Sequence, residues 1–255
     1  MARICLTIEY DGTDYGGWQV QPNAVTIQSC VEDALAQIVG IPLRIYSSGR
    51  TDAGVHALGM RAHFDVDNLL PLSAYREGLN RYLPADIAVR DAQLVAEDFH
   101  ARFSARGKWY QYKIYRSRIR SPLCCRTAWQ YGATLDMDKM IAVAKIFVGN
   151  HDFAAFRSSS CVANTTEREI YTCDIKEMGG MLLLDIRGSG FLKNMVRVIV
   201  GTLVDVGLGK ISLQEIKELL SGGKRCDAGR TAPAHGLCLM DVWYEKKYVK
   251  CLTDC

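Results

Sequence analysis

Most of the sequence signatures that announce an enzyme class are missing from this chain. There is no Gly-x-Gly-x-x-Gly and no Gly-x-x-x-x-Gly-Lys-[Ser/Thr], so neither a dinucleotide fingerprint nor a phosphate loop is present. There is no His-x-Glu with a later Pro-Cys-x-x-Cys, which removes the zinc base deaminases. Gly-x-Ser-x-Gly and His-Glu-x-x-His are absent too. No run approaches the roughly 18–20 apolar residues of a membrane span, and the opening MARICLTIEY is too polar for a signal-peptide core. The expectation is a cytoplasmic protein with no membrane partner. The 10 cysteines include no Cys-x-x-Cys. Most sit inside apolar patterns (Cys5, Cys30, Cys173, Cys238) and read as small core residues in a reducing compartment. Cys124-Cys125 and the Cys251/Cys255 pair fall outside those patterns and match zinc spacings poorly. The five histidines are scattered, so the expected site has neither metal nor cofactor.

What is present is an ordinary globular composition, 49 % hydrophobic and 23 % charged, with a net charge of only +3. Ile4, Leu6, Ile8 and Tyr10 alternate as a strand that exits at Asp11-Gly12. Thr26 caps a predicted helix that runs to Val39 and ends at Gly40. A strand over Leu43–Ser47, another through Ala62, Phe64 and Val66, a helix over Ser73–Tyr82 and a strand over Ile87–Val95 follow. That β-α-β-β-α-β order is the split arrangement of ferredoxin-like folds. It repeats downstream. Lys108–Arg116 reads as a strand and Asp136–Val148 as a helix. Glu169–Glu177 and Met181–Arg187 form a hairpin around Gly179-Gly180. Helices over Gly190–Val206 and Ser212–Leu220 precede a closing strand, Leu237–Tyr244. The reading is α+β, with an N-terminal half over residues 1–105 and a C-terminal half over 106–255.

Three places carry chemistry. The first is Gly49-Arg50-Thr51-Asp52-Ala53-Gly54-Val55-His56, a glycine-bracketed loop holding one carboxylate beside one guanidinium. Glycines permit a tight turn. Arg50, two residues from Asp52, would favour an ionised carboxylate fit for nucleophilic or general-base work. The second is His100–Arg120, with seven Lys/Arg and no Asp or Glu, interleaved with Phe103, Trp109, Tyr110, Tyr112 and Tyr115. Cations track phosphates and aromatic faces stack on bases, yet the same pattern fits a half-buried strand with a solvated basic face. The third is Lys193 and Arg197, read as one face of an apolar helix. A cation there needs a partner such as Asp52, unless it snorkels to solvent.

The motifs together resemble the tRNA pseudouridine synthase A family. The first is Gly49–Ala57. Before it come Ile8-Glu9-Tyr10-Asp11-Gly12 and Gly17-Trp18-Gln19. After it come Asp98–Ala105 with Tyr110-Gln111-Tyr112, Asn150–Arg157, Met195-Val196-Arg197 with Ile199-Val200-Gly201, and Thr231–Leu237. The resemblance implies antiparallel sheets of the two halves merging around a central catalytic cleft. It implies an isomerase, without cofactor, that converts uridine to pseudouridine at positions 38, 39 and 40 of the tRNA anticodon stem-loop. It also implies a homodimer. Asp52 is then the nucleophile or base, Tyr110 stacks on the target base, Arg197 pairs with Asp52, and Arg50 lies beside the displaced nucleotide. Attack at C1′, attack at C6 and abstraction of a sugar proton stay open for Asp52. Trp109 stands where a basic residue is expected in many relatives, and Gly229-Arg230-Thr231 echoes Gly49-Arg50-Thr51 without the aspartate, an echo read as coincidence. Two other readings compete: a non-catalytic RNA-binding protein on the same scaffold, and a glycosidase, which needs a second carboxylate that the loop lacks.

Overall fold

The computed structural model describes residues 1–245, so Cys251 and Cys255 lie outside the described residues. In chain order the regular elements are β1 (Ala2–Tyr10), α1 (Ile27–Val39), β2 (Tyr46–Ser47), β3 (His56–Val66), β4 (Ile87–Val95), β5 (Ala105–Tyr115) and β6 (Trp129–Gln130). Then come α2 (Met137–Ala144), β7 (Gly149–Asp152), β8 (Glu167–Met178), β9 (Met181–Gly188), α3 (Met195–Gly207), α4 (Leu213–Leu220) and β10 (Leu237–Tyr244). The chain divides into two compact units. Among the described residues, one is Met1–Arg106 together with 239–245, and the other is Gly107–Cys238.

In the first unit β1 lies between β3 and β4 and is antiparallel to both, pairing Ile4 with Phe64, Leu6 with Ala62 and Ile8 with Met60. These apolar positions are fully buried, and such burial is the main favourable term in folding. α1 covers them through Ile27, Val31, Ala34 and Leu35. Its ends follow from chemistry. The Thr26 hydroxyl accepts from Ser29 N–H and the Ser29 hydroxyl reaches back to Thr26, while Gly40 takes the left-handed conformation (φ 81°) that closes the helix.

The helix expected over Ser73–Tyr82 is instead a wide π-type turn, Ala74–Gly78, running into a 3-10 turn, Leu79–Arg81. Asn80 explains part of this. Its side-chain amide bonds the Val89 backbone in both directions, at 2.8 and 2.9 Å, so it serves β4 rather than a helix. β2 is shorter than the expected Leu43–Ser47.

In the second unit the order is β5-β9-β8-β7, antiparallel throughout. One short parallel pair, β5 with β6, departs from the all-antiparallel expectation. Tyr110, Tyr112 and Ile114 of β5 face inward beside Ile186, Leu184 and Leu182 of β9. α3 is apolar nearly all round and buried accordingly. It starts at Met195, not Gly190, so Lys193 precedes the helix and shares no helical face with Arg197. Lys193 donates to the Ser160 hydroxyl at 3.0 Å instead. The expected helix to Val148 ends at Ala144 and tightens into a 3-10 turn, Lys145–Phe147.

One buried group in the first unit ties stability to pH. His63 on β3 is almost fully buried, and its Nδ1 lies 3.2 Å from Ala101 N–H and 3.0 Å from the Tyr46 carbonyl. Burial, then His100 and Arg3 nearby, lower its pKa from 6.5 to about 4, against smaller opposing pulls from the Tyr46 carbonyl and Asp65. The unfolded chain therefore binds a proton that the folded chain refuses between those two values, and stability must fall as pH drops through that window. Denaturant titrations from pH 7 to pH 4 are expected to show a loss of about 2–3 kcal/mol from this group. His63→Gln should flatten that part of the profile.

Candidate active site

The Asp52 loop is held by its own backbone and by the loop that follows β1. Asp52 N-terminally adjoins Thr51, whose hydroxyl meets the Tyr10 phenol at 2.8 Å and whose carbonyl accepts from Trp18 N–H at 3.1 Å. Val55 N–H closes a turn onto the Asp52 carbonyl at 3.1 Å, and Gly54 within that turn has φ 76°. Two glycines of the neighbouring loop press directly on this backbone. A Cβ on Gly12 would stand 2.0 Å from the Val55 carbonyl oxygen. One on Gly17 would stand 2.6 Å from the Thr51 carbonyl oxygen, and Gly17 also has φ 93°. Trp18 and Tyr10 are buried beneath, with ring centres 6.1 Å apart. α1 locks the second loop in turn, because Ile27 N–H and Gln28 N–H donate to the Gly17 and Trp18 carbonyls.

His56 completes the support. Its Nδ1 lies 3.1 Å from Gly12 N–H and 3.0 Å from an Asp11 carboxylate oxygen. Asp52 itself is half-buried on this anchored turn. Arg50 is exposed and makes no hydrogen bond or ion pair among the described residues. Arg50 therefore acts on Asp52 only as a nearby charge and not through a direct contact. Thr51 between them is drawn inward to Tyr10, and the guanidinium is left to solvent.

The second unit holds the other candidates. Tyr110 is 9 % exposed, and its ring meets Phe191 edge-on at 5.3 Å. Arg197, on the first turn of α3, donates Nε–H to the Ala232 carbonyl at 2.8 Å and a terminal N–H to the Asn194 side chain at 3.1 Å. Asn194 adopts a left-handed conformation (φ 64°), the only non-glycine among the described residues to do so. The guanidinium is thus aimed by a fixed carbonyl and a fixed amide, which a lysine could not satisfy in the same way.

The segment Gly229–Gly236 is the buttress. A Cβ on Gly201 of α3 would stand 1.8 Å from the Arg230 carbonyl oxygen, and one on Gly229 would meet the Thr202 backbone at 2.5 Å. Ala232 N–H donates to the Arg197 carbonyl at 3.0 Å. The Tyr112 phenol donates to the Pro233 carbonyl at 2.8 Å. Burial holds that phenol's pKa far above its ordinary value, with Arg197 and Arg230 pulling weakly the other way, so it stays a neutral donor. Arg230 stacks over Trp129 and Tyr131, 4.8 and 5.3 Å from the ring centres. The Gly-Arg-Thr echo at residues 229–231 is hence a packing segment under Arg197.

The basic stretch is less basic than it reads. Arg106 pairs with Glu245 and Arg116 with Glu177. The Trp109 indole and the Gln111 amide both donate to Asp185, at 2.7 and 3.1 Å, and the Arg187 guanidinium covers the Trp109 ring at 4.4 Å.

A family profile described as tRNA pseudouridine synthase matches residues 6–104 and 143–245. The chain belongs to the tRNA pseudouridine synthase family. Curated relatives align along nearly the whole length, each described as tRNA pseudouridine synthase A. The protein from Syntrophotalea carbinolica is 57 % identical over 96 % of this chain and 97 % of its own. That from Geobacter sp. (strain M21) is 54 % identical over 96 % and 99 %. That from Citrifermentans bemidjiense is 53 % identical over 97 % and 99 %. Arg50, Asp52 and Arg197 fall inside the two stretches that match the family, while Tyr110 falls in the gap between them.

The sequence pointed to His56 as a residue that orients the loop, but not to its partner Asp11, nor to Gly12, Gly17, Asn194 or the Gly229–Gly236 segment as supports. Gly17-Trp18-Gln19 and Thr231–Leu237 were visible as motifs, but what they touch was not. Because a Cβ at Gly12 must displace backbone, Gly12→Ala should cost about 2 kcal/mol or more and lower Tm by about 4–8 °C. Gly190, with open space around its Cβ position, is the control. Gly190→Ala should leave Tm unchanged in the same scanning calorimetry.

Proposed function

We propose that this member of the tRNA pseudouridine synthase family isomerises uridine to pseudouridine at positions 38, 39 and 40 of the tRNA anticodon stem-loop. Asp52 is the catalytic carboxylate, Tyr110 the ring that holds the target base by its face, Arg197 the cation that pairs with Asp52, and Arg50 a contact to the displaced nucleotide. The half of the chain up to residue 105 supplies the carboxylate, and the half from 106 supplies the ring and the cation. The protein acts in the cytoplasm as a homodimer and uses no cofactor. The observation that carries the reading is the Asp52 turn itself, braced from below by Tyr10 and Trp18 and from the side by Gly12 and Gly17.

The chemistry asks for little else. Uridine and pseudouridine are isomers, so the N1–C1′ bond breaks, the uracil turns, a C5–C1′ bond forms, and the C5 proton is lost as N1 gains one. No electrons enter or leave. A stacked, paired base cannot turn, so the nucleotide must leave the helix. An aromatic face holds the base without fixing its rotation, and exposed Arg50 is available to the nucleotide's phosphate or sugar. A guanidinium held by Ala232 and Asn194 stabilises a carboxylate with little reorganisation.

Incubation of unmodified tRNA, followed by mapping of pseudouridine in the anticodon arm, tests this. Wild type should form product and Asp52→Asn none, with tRNA binding retained by the variant. Turnover by Asp52→Asn would remove Asp52 from its role. Binding by wild type with no product would favour the RNA-binding reading. Tyr110→Phe should keep most of kcat, whereas Tyr110→Ala should lose about tenfold or more, since stacking is worth roughly 1–3 kcal/mol per base. Equal losses would point to proton transfer at the phenol.

A further inference from the structure

The first unit exposes an aromatic cluster that the Asp52 site does not use. Phe103 is 74 % exposed and Tyr46 is 51 % exposed. They are the two ends of a ladder of rings. Phe103 lies 4.3 Å from His100, His100 lies 4.7 Å from His63, and His63 lies 5.4 Å from Tyr46. Arg102 holds its guanidinium 5.5 Å from the Phe103 ring centre.

Hydrophobic burial does not account for Phe103, because most of the ring stays in water. The turn that carries it is nonetheless built firmly. Ser104 N–H donates to the His100 carbonyl at 2.9 Å, and His100 N–H donates to the Ser104 hydroxyl at 3.0 Å. His100 Nδ1 accepts from Arg102 and Phe103 N–H at 3.1 and 3.4 Å. Below the turn, Phe99 is buried against Tyr244, and the Tyr244 phenol donates to the Ala101 carbonyl at 2.7 Å. An exposed ring on a preordered turn binds at low entropic cost. From Phe99 to Arg106 the chain carries two arginines and no carboxylate. Burial, with Arg3 and Arg102 nearby, lowers the pKa of His100 and so favours its uncharged form, and burial acts on His63 in the same direction. The interior of the ladder is therefore two neutral π systems.

We propose that the exposed rings of Tyr46 and Phe103, bridged from within by His63 and His100 and flanked by Arg102, form a second nucleotide-binding platform on which an unpaired base of the RNA stacks while Arg102 meets its phosphate. Exposed aromatic faces next to a cation are the general means of holding single-stranded nucleic acid without reading its sequence. Tyr46 lies on β2, the strand that leads directly into the Asp52 loop, so RNA gripped here is gripped by the same rigid piece of chain. The proposal rests on the reading of the protein as a tRNA-modifying enzyme.

The test uses the full-length protein and unmodified tRNA. Phe103→Ala and Tyr46→Ala should each raise Kd and KM about tenfold, with kcat within about twofold and an unchanged Tm. Phe103→Tyr should bind like wild type. Phe103→Leu, which keeps apolar bulk without a π face, should bind like Phe103→Ala. Arg102→Gln should reduce the slope of log Kd against log salt by about one. Unchanged Kd in both alanine variants overturns the platform, as does wild-type binding by Phe103→Leu. The two readings fail separately. Normal pseudouridine formation with unaltered Kd in the alanine variants removes the platform and leaves the synthase. A wild type that makes no pseudouridine, with Phe103→Ala still weakening tRNA binding, removes the isomerase and leaves the platform.

Discussion

Glycine pressed against backbone is the contact on which both functional segments depend. At Gly12 and Gly17 the Asp52 turn is approached so closely that no side chain could stand between. At Gly201 and Gly229 the helix bearing Arg197 meets the Gly229–Gly236 segment in the same way. Backbone packed on backbone leaves no rotamers to relax, so the geometry of the loop is transmitted without slack. A functional side chain on a loop is ordinarily held less precisely than one on a helix or strand. Here the loop inherits the rigidity of its neighbours: Gly17 and Trp18 are themselves hydrogen-bonded to α1, and Tyr10 belongs to β1, a strand paired on both sides.

The same contact marks the limit of what could be read from the residues. Elements whose ends are set by local chemistry were legible. Thr26 and Gly40 bound α1, Ser212 with Glu215 opens α4, and Gly179-Gly180 turns the β8–β9 hairpin as expected. Where a side chain's partner comes from elsewhere, the pattern misled. Asn80 looks like a helix residue until Val89 claims its amide. Gly188-Ser189-Gly190 looks like the start of α3, but the chain waits for the left-handed Asn194 before it coils. Asp52 stood out as a candidate because the other motifs and the missing metal and cofactor signatures narrowed a pattern that many surface loops share. Its glycine supports did not, since a glycine that must be glycine looks like every other one.

Charge tells a similar story. His100–Arg120 reads as a strongly basic strip, but Glu245 and Glu177 answer two of its arginines from distant parts of the chain. Trp109 is engaged by Asp185 and covered by Arg187. Counting cations along the chain therefore overstates the field that an RNA would meet, because exposed pairs screen one another at short range. Two of the seven cations are answered in this way, while Arg102 beside the exposed Phe103 ring, Arg118 and Arg120 still face solvent.

The treatment of Arg197 shows why position matters more than charge count. A guanidinium at the start of a buried helix faces a double penalty, from desolvation and from the positive end of the helix dipole. Both are offset locally. Ala232 offers a carbonyl and Asn194 an amide oxygen, so two of its donors are satisfied by neutral groups. Neutral acceptors fix direction without cancelling charge. These two acceptors limit the guanidinium's freedom to turn without themselves adding negative charge, a combination suited to a cation that is to hold an anion. Had an acidic residue stood in place of Asn194, the same hydrogen bond would have formed and the charge would have been consumed. The left-handed strain at Asn194 is thus the structural cost of aiming a cation with an uncharged side chain.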